Sequence, residues 1–398
     1  MERTEFTTEL EKRLSEKRKF IQLLAGPRQV GKTTIINQVL ERYKNEFISE
    51  SADNISSSQV FIEQIWNTAR LKLKSGKSEI LIVIDEIQKI PNWSEIVKKF
   101  WDEDTKNKLN IKVVLSGSSR LLLEKGLTES LLGRFEIIHV PHWSFAEMQQ
   151  AFGVTLEEYI YFGGYPGASE LIKNENRWKM YIRDSIIESS ISKDILMLTQ
   201  IAKPALLKQL FELGTAYSAQ ILPFNKMLGT LTDAGNTVTL AHYLNLLDEC
   251  GLLCGIQKYS GSEQHIRSSS PKLQVYNNAL LATCLNKDFK TATTTPDLWG
   301  RFVESCVGTH ILNKSVSCGY KVNYWRDGNN EVDFVISNAN EISAIEVKSG
   351  SRSSNLGMKL FKEKYPSAKV YVVSSKDFAH AGCLLLQDFL NLSPNELF

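Results

Sequence analysis

Apolar residues recur in three patterns along the chain. Near the amino end they form short runs. "FIQLLA" (20–25), the centre of "NIKVVLS" (110–116) and "FEIIHV" (135–140) each read as a strand, and the unbroken "ILIVI" (80–84) reads as a buried, parallel-type strand, where no polar alternation is needed. "TTIINQVLERYKNEF" (33–47) lies between the first two and reads as a helix. Strands alternating with helices predict an α/β unit with a parallel sheet. In the middle the spacing turns helical. Trp178 to Ile201 predicts an amphipathic linking helix. Pro204 opens a helix with Leu206, Leu210 and Leu213 on one face. Asn236 or Thr237 caps another that carries Leu240, Leu244 and Leu247. "CGIQKYS" (254–260) and "KLQVYNNALL" (272–281) then read as strands flanking a polar stretch. Towards the carboxyl end come a helix in "DLWGRFVESCVGTHILN" (297–313), a hairpin in "VNYWRDGNNEVDFVI" (322–336) turning at Asp327-Gly328-Asn329, and a strand in "EISAIEVKSG" (341–350). A further helix (357–366) and strand (369–375) follow.

The strand at 20–25 runs into Gly26-Pro27-Arg28-Gln29-Val30-Gly31-Lys32-Thr33-Thr34, a match to G-x-x-x-x-G-K-[ST] between a strand and a helix. Glycines let backbone N–H groups curl around an anion, and the helix start adds its positive dipole end. Lys32 would reach the β- and γ-phosphates, and the Thr33 hydroxyl would ligate Mg²⁺. ATP and Mg²⁺ are therefore the expected ligands. The apolar run 80–84 ends in Asp85-Glu86, at the carboxyl end of a strand, where open α/β sheets place their chemistry. Asp85 is the expected metal-shell carboxylate and Glu86 the general base. Ser116 and Ser118, closing the next strand, are either candidates to orient the attacking water or plain turn residues. Arg134 follows Gly133 before the strand at 135–140. It is either an arginine finger, in its own or a neighbouring subunit, or a surface arginine.

A second constellation lies near the carboxyl end. Residues two apart on a strand share a face, so Glu346 and Lys348 point the same way. With Asp333 on an adjacent strand, Asp333 and Glu346 could hold Mg²⁺ while Lys348 acts on the attacking water. Glu304, on the preceding helix, would add a carboxylate. The alternative is a wet antiparallel face with cross-strand ion pairs.

The order of phosphate loop, "VIDEIQKIPNW", "LSGSSRLLL", "LLGRFEIIHVPHWSFAEM" and "YIYFGGYPGA" resembles that of bacterial and archaeal AAA-type ATPases whose carboxyl half is a domain of unknown function ending in a restriction-endonuclease-like fold. The resemblance spans nearly the whole chain and implies ATP binding and hydrolysis, but no single biological process. It implies an α/β fold: a P-loop NTPase parallel sheet with a helical lid, a winged-helix segment, and an α/β nuclease-like end. The corresponding divisions are 1–150, 151–203, 204–283 and 284–398. Gly163, Gly164 and Pro166 resemble a turn that related ATPases press against nucleotide; a loop closing the lid helices is the other reading.

Charge qualifies these expectations. The 47 basic and 45 acidic residues leave a net +2, so no global field draws in nucleic acid. Between Ala205 and Lys272, five basic residues face five acidic ones. The helix at 237–249 carries no Lys or Arg and ends in Asp248-Glu249, a poor match to a groove-reading helix. His265, Arg267 and Lys272 in the wing keep nucleic acid open as a partner, beside a homo-oligomer or another protein. Six scattered cysteines, of which only Cys250 and Cys254 are close, suggest free thiols and no zinc site. The charged start lacks the apolar core of a signal peptide, and no apolar run is long enough to span a bilayer; the expectation is a cytoplasmic protein without a membrane partner.

Overall fold

The structure, a computed structural model, describes residues 2–54, 59–117, 131–196, 201–260, 269–348, 356–375 and 383–398. Two compact units divide the chain, Met1–Val140 and Pro141–Phe398.

The first unit is built on five parallel strands: β1 (Ile21–Ala25), β2 (Glu46–Ser51), β3 (Ile80–Asp85), β4 (Ile111–Gly117) and β5 (Phe135–His139). Their order across the sheet is β2-β3-β4-β1-β5. Alternation along each strand divides its apolar residues between two cores. Ile80, Ile82 and Ile84 of β3 join Ile111, Val113 and Leu115 of β4 on one face. There they meet helix α3 (Gln59–Lys74) through Ile62 and Trp66, and helix α4 (Trp93–Lys106) through Val97 and Trp101. Leu81, Val83 and Val114 face the other way, onto α1 (Thr4–Ser15) through Leu10 and Leu14, and onto α2 (Lys32–Arg42) through Ile35 and Val39. This burial on both faces is why the run Ile80–Ile84 carries no polar alternation.

The helix expected at 33–47 stops at Arg42, because Tyr43 turns extended and Glu46–Ser51 leaves to form β2. The alternating, half-exposed β2 is one of the two edge strands, paired from Glu46–Ile80 to Ser51–Asp85. Backbone pairing with β3 wins there over a helix-like sequence.

In the second unit, eight strands run in the order β13-β12-β11-β10-β9-β7-β8-β6. They comprise β6 (Gln220–Ile221), β7 (Leu253–Lys258), β8 (Lys272–Val275), β9 (Lys321–Asp327), β10 (Asn330–Ser337), β11 (Ile342–Lys348), β12 (Lys369–Ser374) and β13 (Cys383–Leu385). Helices Pro204–Ala216, Phe224–Thr230 and Thr237–Glu249 precede the β7–β8 hairpin. Asn236 caps the third, its Oδ1 accepting from the Thr239 amide, and Leu240, Leu244 and Leu247 are buried. Parallel pairing of Gln257 with Asn323 and Lys258 with Tyr324 joins β7 to β9, so the hairpin and the carboxyl-terminal strands form one sheet.

Two local expectations change. The strand expected at 272–281 ends at Val275, and a helix, Asn278–Leu285, begins beyond the Asn277 cap. The single linking helix of 178–201 is a helix Glu175–Tyr181 continued by π-helical windings at Ile182–Ile187 and Ser190–Leu196; residues 197–200 lie outside the described residues. No helix among the described residues is long and apolar enough to cross a membrane.

His310 is buried inside helix Pro296–Cys318, and its Nε2 pairs with the Leu392 carbonyl at 3.1 Å. Burial lowers its pKa to about 4. A histidine kept neutral in the fold but free to charge on unfolding favours folding above its ordinary pKa, and that contribution is lost as pH falls from about 6.5 towards 4. Wild type should therefore lose about 3 kcal/mol more across that window than His310→Gln, read from urea melts at stepped pH.

Candidate functional site

The phosphate-loop motif occupies the turn from β1 into α2. Gly31 sits at φ 93°, in the left-handed region, and Gln29 at φ 62°. This curl brings the chain into α2 at Lys32, leaving the first-turn N–H groups without partners inside the helix. Gly26 has no room for a side chain: a Cβ there would lie 2.0 Å from the Val140 carbonyl oxygen, on backbone that cannot rotate away. Gly26→Ala should lower stability by about 1–3 kcal/mol, seen as a lower urea midpoint, because the start of the loop must part from the end of β5.

Lys32 is 6% exposed, and its Nζ donates to the carbonyls of Gly26 (2.9 Å) and Pro27 (2.7 Å). The ammonium thus lies inside the loop's own curve. Thr33 and Thr34 sit exposed on the first turn of α2. From outside, the buried Arg3 supports the loop, its Nη1 donating to the Val30 carbonyl at 3.1 Å. Arg28 lies in the same turn, between Pro27 and Gln29.

The sheet brings the carboxylates to this loop. β4 lies between β1 and β3, with Leu24 beside Ser116 and Ile84 beside Leu115, so the carboxyl ends of all three strands adjoin. Thr33 Oγ1 donates to Asp85 Oδ2 at 2.7 Å. Ser116 is fully buried, and its hydroxyl donates to Asp85 Oδ1, which also accepts from the Glu86 amide at 3.0 Å. Three donors therefore hold one carboxylate. Glu86 takes a left-handed conformation (φ 54°, ψ 38°), unusual for a non-glycine residue, and its Oε2 accepts from the buried Gln88 at 2.7 Å. The oxygen donors of Thr33 and Asp85 suit Mg²⁺, which takes a few hard protein ligands and leaves its other positions to water and phosphate.

Arg134 stands elsewhere. It precedes β5 at the amino edge of the sheet, where its carbonyl accepts from the Ile21 amide at 2.8 Å. The loop leaves the opposite end of β1, about 16 Å away along five extended residues. The guanidinium makes a two-point pair with Asp102, at 2.7 and 3.1 Å. The reading of Arg134 as a finger for the nucleotide of its own chain is thus corrected. Ser118 lies outside the described residues. Gly163 and Gly164 pack onto the turn at Asn277, whose Oδ1 accepts from the Gly164 amide at 3.1 Å. A Cβ on Gly164 would lie 2.2 Å from the Trp143 carbonyl, which accords with the loop-closing reading, and Pro166 opens a short 3₁₀ turn.

The carboxyl-terminal constellation converges, around a residue assigned differently from sequence. Lys272 of β8 is fully buried. Its Nζ lies 2.6 Å from Glu304, 3.3 Å from Glu331 and 3.6 Å from Asp333, and 4.9 Å over the Phe334 ring. Asp333 Oδ2 accepts from the Val347 amide at 2.8 Å, and Lys348 pairs with Glu346. Burial and the neighbouring Asp333 push Glu304 and Glu346 upward, opposed by Lys272 and Lys348 respectively. Burial opposes the charge on Lys272, but the surrounding carboxylates outweigh it and raise its pKa. Lys272 is therefore unavailable to nucleic acid, correcting its place in a basic wing; His265 and Arg267 lie outside the described residues. Among the described residues, no three His, Cys, Asp or Glu side chains are placed to hold one metal ion.

Residues sequence reasoning missed are Arg3, Gln88 and Glu331, and Lys272 is the one it assigns to a different place. Lys272 and Gln274 alternate with Leu273 and Val275, all buried, which marks a strand with polar groups on one covered face.

This strand order and glycine-framed loop, with the acid at the end of β3, make up a P-loop NTPase fold in the first unit. The family profile described as an AAA domain matches residues 18–149. Two domains of unknown function, DUF8612 and DUF4143, match residues 154–291 and 299–382. An uncharacterized Haemophilus influenzae protein is 24% identical over 82% of this chain and 82% of its own length. A second relative, from Methanocaldococcus jannaschii, is 23% identical over 81% of this chain and 73% of its own. Among solved structures, the Aeropyrum pernix Orc1 protein in complex with DNA is similar at 13% identity and TM-score 0.32, covering 73% of this chain and 94% of that one.

Proposed function

We propose that the protein is a Mg²⁺-dependent ATPase of the AAA type, working as a homo-oligomer. The observation that carries this reading is Asp85, clamped between the Thr33 and Ser116 hydroxyls with Glu86 next in the chain. Thr33 and Asp85 would hold Mg²⁺, whose charge offsets that of the β- and γ-phosphate oxygens. The amides of residues 28–34 cradle the phosphates, and the Lys32 ammonium moves from the Gly26 and Pro27 carbonyls to phosphate oxygens. Glu86, aimed by Gln88, takes a proton from the attacking water. Ser116 holds Asp85 in register. In an oligomer, Arg134 would release Asp102 and serve a neighbour's phosphates.

The carboxyl half is the part this cycle moves. A strand between the first two of three helices, then a hairpin, supports the winged-helix reading of 204–283. The helix–hairpin–strand order beyond it supports a nuclease-like fold for 284–398. Residues 1–150 and 151–203 would serve as ATPase core and lid. A protein partner fits this half better than nucleic acid, since the helix Thr237–Glu249 carries no Lys or Arg. Purified full-length protein should release phosphate from ATP with Mg²⁺ and stop on adding EDTA. No release above buffer, at any protein concentration that allows assembly, refutes the reading.

A further inference from the structure

The carboxylates Glu304, Glu331, Asp333 and Glu346 sit on three elements of the second unit, with Lys348 at their edge. A hydrolytic metal centre needs such acids gathered around an open position with oxygen ligands at about 2.0–2.1 Å for Mg²⁺. Here that position is filled. Lys272 enters from β8, reaches three of the four carboxylates, and donates to the Asp333 carbonyl at 3.2 Å. Asp333 is committed on its other side, to the Val347 amide. A divalent ion would meet an ammonium at the centre of its own ligand set, and displacing it would strip a buried lysine of the carboxylates that offset its burial. The residues present do not fit a metal.

We propose that the Lys272 ammonium permanently takes the place of a divalent cation, so that this acid cluster is a metal-independent ion network tying the β7–β8 hairpin to helix Pro296–Cys318 and β10, and not a nuclease centre. The register agrees. Lys272 and Gln274 share one face of β8, and Gln274 Nε2 donates to the Ser305 carbonyl at 2.9 Å, one residue from Glu304. The same face of one strand thus makes both polar ties to the same helix. The inference is independent of ATP chemistry, because no residue of the phosphate loop enters it.

The test is Mn²⁺ binding to the nucleotide-free full chain, followed by electron paramagnetic resonance, with thermal melts in Mn²⁺ and in EDTA. Wild type and Asp333→Asn should bind Mn²⁺ identically, and Mn²⁺ should leave the wild-type midpoint unmoved. Lys272→Ala should gain a Mn²⁺ site that Lys272→Ala/Asp333→Asn lacks, and its midpoint should rise with Mn²⁺. A wild-type Mn²⁺ site that Asp333→Asn removes would overturn the proposal. So would wild-type cutting of DNA or RNA abolished by Asp333→Asn, or a folded Lys272→Ala that gains no site. If Lys272→Ala does not fold, the wild-type and Asp333→Asn comparison still decides.

Discussion

Glu86→Gln should bind ATP as wild type does and hydrolyse it about 100- to 10,000-fold more slowly, the range lost when a positioned base is removed. That corresponds to about 3–5 kcal/mol of barrier. The variant is sharp because the geometry survives it. Glu86 holds a left-handed backbone whether or not its side chain is charged, and Gln88 Nε2 can donate to a glutamine carbonyl as it does to Oε2. Only the ability to accept a proton is lost. Single-turnover phosphate release, beside equilibrium binding of a fluorescent ATP analogue, separates the effects. Equal release rates would remove Glu86 from the chemistry.

Lys32→Ala should weaken ATP binding by roughly 30- to 1000-fold, or about 2–4 kcal/mol, the cost of deleting one partner from a desolvated charge pair. Lys32 is buried, and its ammonium is already dehydrated by the Gly26 and Pro27 carbonyls, so little further desolvation opposes its transfer to phosphate. Loss of binding should come without loss of fold, which distinguishes it from Gly26→Ala. The same nucleotide titration, read with urea melts, checks both. Wild-type affinity in Lys32→Ala would mean that the loop does not hold phosphate.

The parts of the site legible in sequence are those written in neighbouring residues. Gly26 to Thr34 form one continuous turn, and Asp85-Glu86 close an apolar run, so local pattern was enough. Helices Phe145–Phe152 and Leu156–Phe162 carry an equally local signal, the capping boxes Ser144/Glu147 and Thr155/Glu158. Lys272 could not be read this way. At the start of a short strand after Pro271 it looks like an exposed wing lysine; only the pairing of β7 with β9, residues some distance apart in sequence, turns it inward onto Glu304. Gln88 and Arg3 are second partners to residues already identified, reached through a 3₁₀ turn and through the packing of α1. The overrun of the helix past Arg42 has the same origin, since β2 exists only because β3 offers it an edge.

A crystal structure of the full chain with a non-hydrolysable ATP analogue and Mg²⁺ is the most direct measurement of the central claim. It should show the β- and γ-phosphates among the amides of residues 28–34, Lys32 Nζ turned from the Gly26 and Pro27 carbonyls onto phosphate oxygen, and the ion beside Thr33 and Asp85. Nucleotide held anywhere else on the chain, with Lys32 still on those carbonyls, would contradict it.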